Sequence, residues 1–230
     1  MTLVLLAQGT RNPTGVRTVE AVAARVGYRL PGVDVRVAYT GNADGPTLSE
    51  TLADRPPAPV VVPLLCGRER ALTETVALEA GAALADPLGG QRLLSGVLAQ
   101  RLREAGARTG QPVVLVAAGC VEPSGQGETT RAAQLLEEVW GGPVRPAHLI
   151  GRGLRLSQVV TDFRDRSAPT PAVVPLLVSH GQFHDRMRVD VRSQGLEVCA
   201  GVLGDHPQLA EAAARSYRAT VARRFALSLV

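Results

Sequence analysis

Leu3–Gly15 reads LVLLAQGTRNPTG, and 110 residues later Val113–Gly125 reads VVLVAAGCVEPSG, with Ala7 over Ala117, Gly9 over Gly119, Pro13 over Pro123 and Gly15 over Gly125. The register then continues. VRVAYTG from Val35 meets VRPAHLIG from Val144, and LSETLAD from Leu48 meets LSQVVTD from Leu156. APVVVPLL from Ala58 meets TPAVVPLL from Thr170, and DPLGGQRLL around Gly89 meets GVLGDHPQL around Gly204. These offsets are 109, 108, 112 and 115, and colinear matches with a slowly drifting offset mark one unit written twice.

Within each half, short apolar runs alternate with stretches of helical periodicity, the pattern of βαβ units on a parallel sheet. Strands are predicted at 3–7, 34–39, 59–65 and 82–86, and again at 113–117, 143–148, 172–178 and 197–201. Helices are predicted at 15–28, 47–54, 71–80 and 91–105, then at 127–140, 154–165, 182–192 and 207–225. Unbroken runs such as Val60–Leu65 suit strands covered by helices on both faces. The expected fold is therefore α/β: two similar doubly wound lobes, each with a four-stranded parallel sheet, spanning 1–109 and 110–230. The polar, Gly-containing Arg108–Gln111 is a short tether, and a cleft is expected between the lobes. Ligands of open α/β sheets bind outside the carboxyl ends of the strands, so the loops after the first and third strand of each half are the segments to watch.

Composition narrows the chemistry. The 230 residues are 45% hydrophobic and 20% charged, an ordinary globular balance, and no apolar run approaches the roughly eighteen residues of a membrane span. All 25 basic residues are arginine, which excludes P-loop, Schiff-base and kinase lysine chemistry. The net charge of +4 suits an anionic partner, and guanidinium grips carboxylate or phosphate with two parallel bonds. Aromatics make up only 3% of the chain, too few for stacking on single-stranded nucleic acid, and no nucleic-acid partner is expected. Cys66, Cys120 and Cys199 form no metal or redox motif, and the N-terminus lacks a basic region and cleavage site. A reducing, cytoplasmic location with no membrane association follows as the expectation.

The loop after the first strand is Gln8-Gly9-Thr10-Arg11-Asn12-Pro13, and its counterpart is Ala118-Gly119-Cys120-Val121-Glu122-Pro123. Gly9 and Gly119 allow a tight turn into a helix whose first amides can face an anion, and Arg11 is placed to grip a carboxylate. After the third strand come Cys66-Gly67-Arg68-Glu69-Arg70 and Val178-Ser179-His180-Gly181-Gln182-Phe183-His184-Asp185. His180 and His184 are four apart, which puts both imidazoles on one face of a helix for metal binding or proton transfer, with Asp185 and Asp190 nearby. His148 closes a predicted strand at the same edge, as a ligand or as a packed ring. His206 in LGDHP reads as a helix start. Cys66 and Cys120 read as buried small residues, not nucleophiles.

These residues together resemble a family. LLAQGTRNPTG, PTLSETLADR, VVVPLLCGR and DPLG, followed by PLLVSHGQFHDRM and LGDHPQLAEAAARSYR, are similar to the class II tetrapyrrole metal chelatases of the CbiX type. These are the sirohydrochlorin ferrochelatases and cobaltochelatases, here in their duplicated actinobacterial form. The resemblance implies a polycarboxylated tetrapyrrole and Fe²⁺, Co²⁺ or Ni²⁺ as substrates, with no cofactor beyond that metal. It also implies a monomer carrying both lobes, with a homodimer as the alternative. In the family, one His follows strand one in an A-H-G-[ST] motif and a second stands in G-x-H after strand three.

This chain departs from that pattern. Gln8 stands at the first catalytic position, Ala118 at its repeat, and Ala71 and Thr75 fall where the second His and a following Asp are usual. Phe183 occupies the G-x-H position of the second half, with His184 one place later. The remaining set is His184 as ligand and proton acceptor with Gln8 beside it. His180 and His148 are further metal ligands, and Gly9, Thr10, Arg11, Arg70, Gly119 and Gly181 contact the substrate. An active chelatase with this relocated site is one expectation, and a catalytically degenerate tetrapyrrole-binding or metal-delivery protein is the alternative.

Overall fold

The computed structural model describes residues 1–41, 45–65, 70–119 and 123–227. The chain divides into two compact units, Met1–Leu88 with Asp205–Val230, and Gly89–Gly204.

In the first unit β1 (Thr2–Gln8) lies between β2 (Asp34–Thr40) and β3 (Pro59–Pro63), with the two-residue β4 (Ala83–Leu84) beyond β3, all parallel. Successive β1 side chains point to opposite faces and all are apolar from Leu3 to Ala7, so both faces need cover. Val4, Leu6 and Val61 pack with Leu48 and Leu52 of α2 (Leu48–Leu52) and Ala77 of α3 (Arg70–Glu79). The opposite face takes α1 (Pro13–Arg29) and α8 (Pro207–Leu227), which pack against each other. Pro13 opens α1 at a position where its missing N–H costs nothing, and the Asn12 carboxamide accepts from the Thr14 and Gly15 amides.

The second unit repeats the plan. β5 (Val113–Ala117) runs between β6 (Val144–His148) and β7 (Ala172–Leu176). α6 (Leu156–Asp165) and α7 (Gln182–Ser193) cover one face, where Val159, Val160, Phe163, Met187 and Val191 meet Val114 and Val116. α4 (Arg92–Glu104) packs on β7 and against α5 (Pro123–Trp140). Trp140, fully buried, donates its indole N–H to the Gln111 carbonyl at 2.7 Å.

Two features differ from the sequence expectation. The segment read as the fourth strand of the second sheet, 197–201, makes a single bridge between Val173 and Cys199, so that sheet is three-stranded. The Val173 N–H donates to the Val198 carbonyl at 2.9 Å, and the Ala200 N–H donates to the Val173 carbonyl at 2.8 Å. The next donor on that side of β7 would be residue 175, a proline with no N–H, and the ladder stops there. Pro63 stands in the same register of β3, and β4 is correspondingly reduced to two residues.

The packing units also cut across the sequence halves. α4 belongs to the first half of the repeat yet completes the second unit, while α8 ends the second half yet completes the first. A boundary at 109/110 thus separates the repeats, and a boundary near 88/89 separates the cores. In α8, Leu209, Ala210, Ala213, Ala214 and Tyr217 are buried, and the Arg25 guanidinium holds Asp205 at 2.9 Å just before it. Stripping α8 exposes about 1.5–3 kcal/mol of apolar burial per large side chain. A fragment 89–204 is therefore expected to melt cooperatively by circular dichroism, whereas a fragment 1–109, which carries α4 but lacks α8, is expected to show no cooperative transition.

Candidate functional site at the carboxyl edges of the two sheets

In each unit the strand order reverses direction beside the central strand, and the loops leaving β1 and β3, or β5 and β7, flank that reversal. At the edge of the first unit Gln8 is half-buried at the end of β1. It lines a cavity of about 30 Å³ with Thr40, Thr73, Leu65, Leu84 and Ala85, room for one water-sized occupant. The Gly9 N–H donates to the Thr40 carbonyl at 2.8 Å. Thr10 is buried, its hydroxyl accepting from the Asn12 amide at 3.1 Å, and Asn12 in turn occupies the first amides of α1. The anion cradle expected at Gly9 and Thr10 is thus filled by the loop's own acceptors, because a cap already satisfies the donors it would offer. Arg11 is exposed beside this loop. Arg70 begins α3, but its side chain lies outside the described residues, as do Cys66 to Glu69.

The second unit offers a different edge. β7 runs on through buried Leu177 and Val178 to Ser179 and His180, and Gly181 starts α7 with no side-chain cap. On α7, Phe183 packs against the core with Met187 and Val191, one helical face at spacing four. That anchors the helix and leaves His184, the next residue round, at the edge. Its ring centre lies 4.6 Å from that of His180, with the planes at 75°. Two imidazoles sharing one ion through nitrogen bonds of about 2.1 Å have centres about 5 Å apart, so the ring spacing leaves two-point coordination open to this pair. The Asp185 carboxylate stands 3.6 Å from His184 Nδ1. Burial pushes the His184 pKa below its ordinary 6.5, and the neighbouring His180 and Arg188 add to this against the pull of Asp185. His184 is therefore neutral at physiological pH, the form that binds metal and accepts a proton.

His148 does not join this pair: among the described residues no three His, Cys, Asp or Glu side chains gather as a metal set. It ends β6 with only 6% of its surface exposed, and neither ring nitrogen has a hydrogen-bond partner among the described residues. The repeat explains its place. Tyr39 is its counterpart in β2, buried and likewise overlaid by a glycine. A side chain on Gly45 would strike the Tyr39 ring, and one on Gly153 would strike the His148 ring. The backbones match too, with Tyr39 N–H donating to Pro46 and His148 N–H to Leu154. Gly119 is likewise a packing residue: its φ of 101° and its closeness to the Ile150 carbonyl leave no room for a side chain. Cys120 and Glu122 lie outside the described residues.

Sequence reasoning missed Arg155. Its guanidinium donates to the His148 carbonyl at 2.9 Å and the Gly151 carbonyl at 2.8 Å, fastening the loop over the His148 ring. Only the spacing from His148 to an arginine seven residues on hints at this. His206, read as a helix start, accepts from the Gln208 amide through Nδ1 at 3.1 Å.

Burial and Arg155 push the His148 pKa below 6.5. The folded chain then binds fewer protons than the unfolded chain below pH 6.5, so stability falls as pH drops from 6.5 through the folded-state pKa. Replacing His148 by Phe removes this titration. The drop in melting temperature between pH 8 and pH 5 is expected to be smaller in that variant than in the parent chain.

Comparison with known proteins adds a family match over part of the chain and a fold likeness over the whole. Residues 112–220 match the CbiX family model. No curated protein matches the chain. Among solved structures it is similar to SirB from Bacillus subtilis with Fe³⁺, at TM-score 0.77 and 18% identity over 98% of this chain and 97% of that one. It is similar to the sirohydrochlorin chelatase SirB from Bacillus subtilis subspecies spizizenii in complex with cobalt, at TM-score 0.74 and 16% identity over 95% and 94%. A third likeness is to CbiX, described as the terminal enzyme for biosynthesis of siroheme in denitrifying bacteria, at TM-score 0.71 and 20% identity over 95% and 99%. Residues 112–220, which hold the His180–His184 pair, thus match the CbiX family model, and the chain as a whole shares the fold of these solved chelatase structures.

Proposed function

We propose that this protein is a sirohydrochlorin-type tetrapyrrole metal chelatase that inserts Fe²⁺, Co²⁺ or Ni²⁺ at the His180–His184 edge of the second unit. The observation that carries this is the imidazole pair, 4.6 Å apart on a chelatase fold and held neutral at His184. The metal enters as a substrate. Neutral imidazole suits borderline divalent ions of this series, and two nitrogens leave positions open for the macrocycle to displace water.

Insertion of a divalent ion into a free-base macrocycle releases two protons, one from each pyrrole N–H. His184 takes one as the ion leaves it, because a ring that gives up a metal regains a free lone pair. His180 serves as the second ligand and passes the other proton to solvent. Asp185 steadies the imidazolium so formed, from 3.6 Å. The Gln8 carboxamide has no basic lone pair at neutral pH, so it does not accept protons.

The first test is an anaerobic absorbance titration of the protein with sirohydrochlorin, followed by Fe²⁺, Co²⁺ or Ni²⁺ in separate cuvettes. Insertion well above the spontaneous rate is expected, and His184→Ala should lower that rate by about 10²- to 10⁴-fold while macrocycle binding persists. A spectral shift with no acceleration would instead favour the carrier reading, which the non-basic Gln8 and Ala118 at the family's histidine positions support. The rate should hold from neutrality down past pH 6.5 and decline only below it, since the neutral ring is the working form and its pKa is depressed.

A further inference from the structure

We propose that Arg152 anchors a carboxylate at the rim of the bound macrocycle. This deepens the chelatase reading and rests on it. Most arginines of the second unit are committed. Arg92, Arg145 and Arg166 end on carboxylates, Arg155 and Arg164 on backbone carbonyls, and Arg103 lies over Trp140. Arg152 is exposed and has no side-chain partner among the described residues. Arg186 is similarly free, but it projects from α7 two positions past His184, on another side of that helix. Arg152 stands instead on the loop leaving β6, at the carboxyl edge where ligands of such sheets bind.

That loop is built to be rigid. Leu149 and Ile150 donate their amides to the Ala117 and Ala118 carbonyls at 3.1 and 3.0 Å, and His148 receives the chain back through Leu154. Arg155 clamps it from below. Gly151 and Gly153, at φ 70° and 99°, turn the backbone on either side so that Arg152 alone carries a side chain at the tip. An anchor on a fixed loop loses less freedom on binding than one on a free segment. β6 and β7 flank β5, so their ends are two strand spacings apart, about 10 Å. A flat macrocycle centred over His184 carries its carboxylates around its rim, and an arginine at that lateral distance meets the rim, not the metal. Guanidinium also matches carboxylate in a two-bond fork that ammonium cannot form.

The test compares the parent chain with Arg152→Ala, Arg152→Lys and, as a charge control, Arg186→Ala. Binding is read by absorbance titration against sirohydrochlorin and against the same macrocycle with its carboxylates esterified. Arg152→Ala is expected to weaken sirohydrochlorin binding about tenfold, with Arg152→Lys between the two and Arg186→Ala near the parent. The esterified macrocycle should bind the parent and Arg152→Ala equally. Melting temperatures within about 2 °C of the parent confirm that the loop variants are folded. Equal affinity of Arg152→Ala and parent for sirohydrochlorin, equal losses in Arg152→Ala and Arg186→Ala, or a loss that persists with the ester would each overturn the inference while leaving the chelatase reading standing. Failure of the parent chain to bind sirohydrochlorin at all would overturn both.

Discussion

Burial of β1 and β5 on both faces is the constraint from which the rest of the molecule follows. Leu3 to Ala7 and Val113 to Ala117 are apolar without interruption and almost wholly buried. A central parallel strand of that composition must be sandwiched by helices, and the crossover connections that make neighbours parallel supply them. Once helices lie on both faces, only the strand ends reach solvent. Polar side chains therefore collect at the carboxyl edges, and the chemistry of each unit is decided by a few loop residues that core packing leaves free.

The two edges have diverged under that common constraint. At β1 the loop satisfies itself, with the Gly9 amide on Thr40, the Thr10 hydroxyl on Asn12 and Asn12 on the first turn of α1. At β7 the chain enters α7 through Gly181 without a side-chain cap, and the helix is held by Phe183, Met187 and Val191. Placing Phe183 inward is what turns His184 to the edge, beside His180. One residue of phase on a helix thus converts a core position and a ligand position into each other, since neighbours on a helix differ by about 100°.

Much of this was legible in the sequence, for physical reasons that also explain the misses. Val113–Ala117 matched to the residue because a buried strand is defined by its own apolar run. Segment 197–201 did not form a strand because strand formation needs a donor from the partner, and Pro175 withholds it. The exchange of α4 and α8 between cores was invisible because periodicity shows that a helix has an apolar face without saying which sheet that face covers. His148 read as a packed ring or a ligand, with the packed ring favoured, and it lies, like Tyr39 at the matching repeat position, as a buried ring under a glycine. The His180–His184 pair was legible since spacing alone brings such residues together at a helix start.

The absence of lysine makes arginine the chain's only basic side chain besides histidine, which bears on how the proposed metal-inserting edge works. A guanidinium keeps its charge at any accessible pH, so it can tie down carbonyls, as Arg155 does over His148, without becoming a competing base. A lysine placed near two imidazoles could lose its proton and bind the incoming ion itself. Burial holds the His184 imidazole in the neutral form, and nearby positive charge adds to that. The same charges that lower the proton affinity of His184 also weaken its hold on a divalent cation. A ligand pair that binds its metal moderately is what transfer requires, because an ion held by a complete, strongly donating set would have no reason to leave for the macrocycle. On the proposed chelatase reading, a two-histidine edge suits passing a metal on more than keeping one.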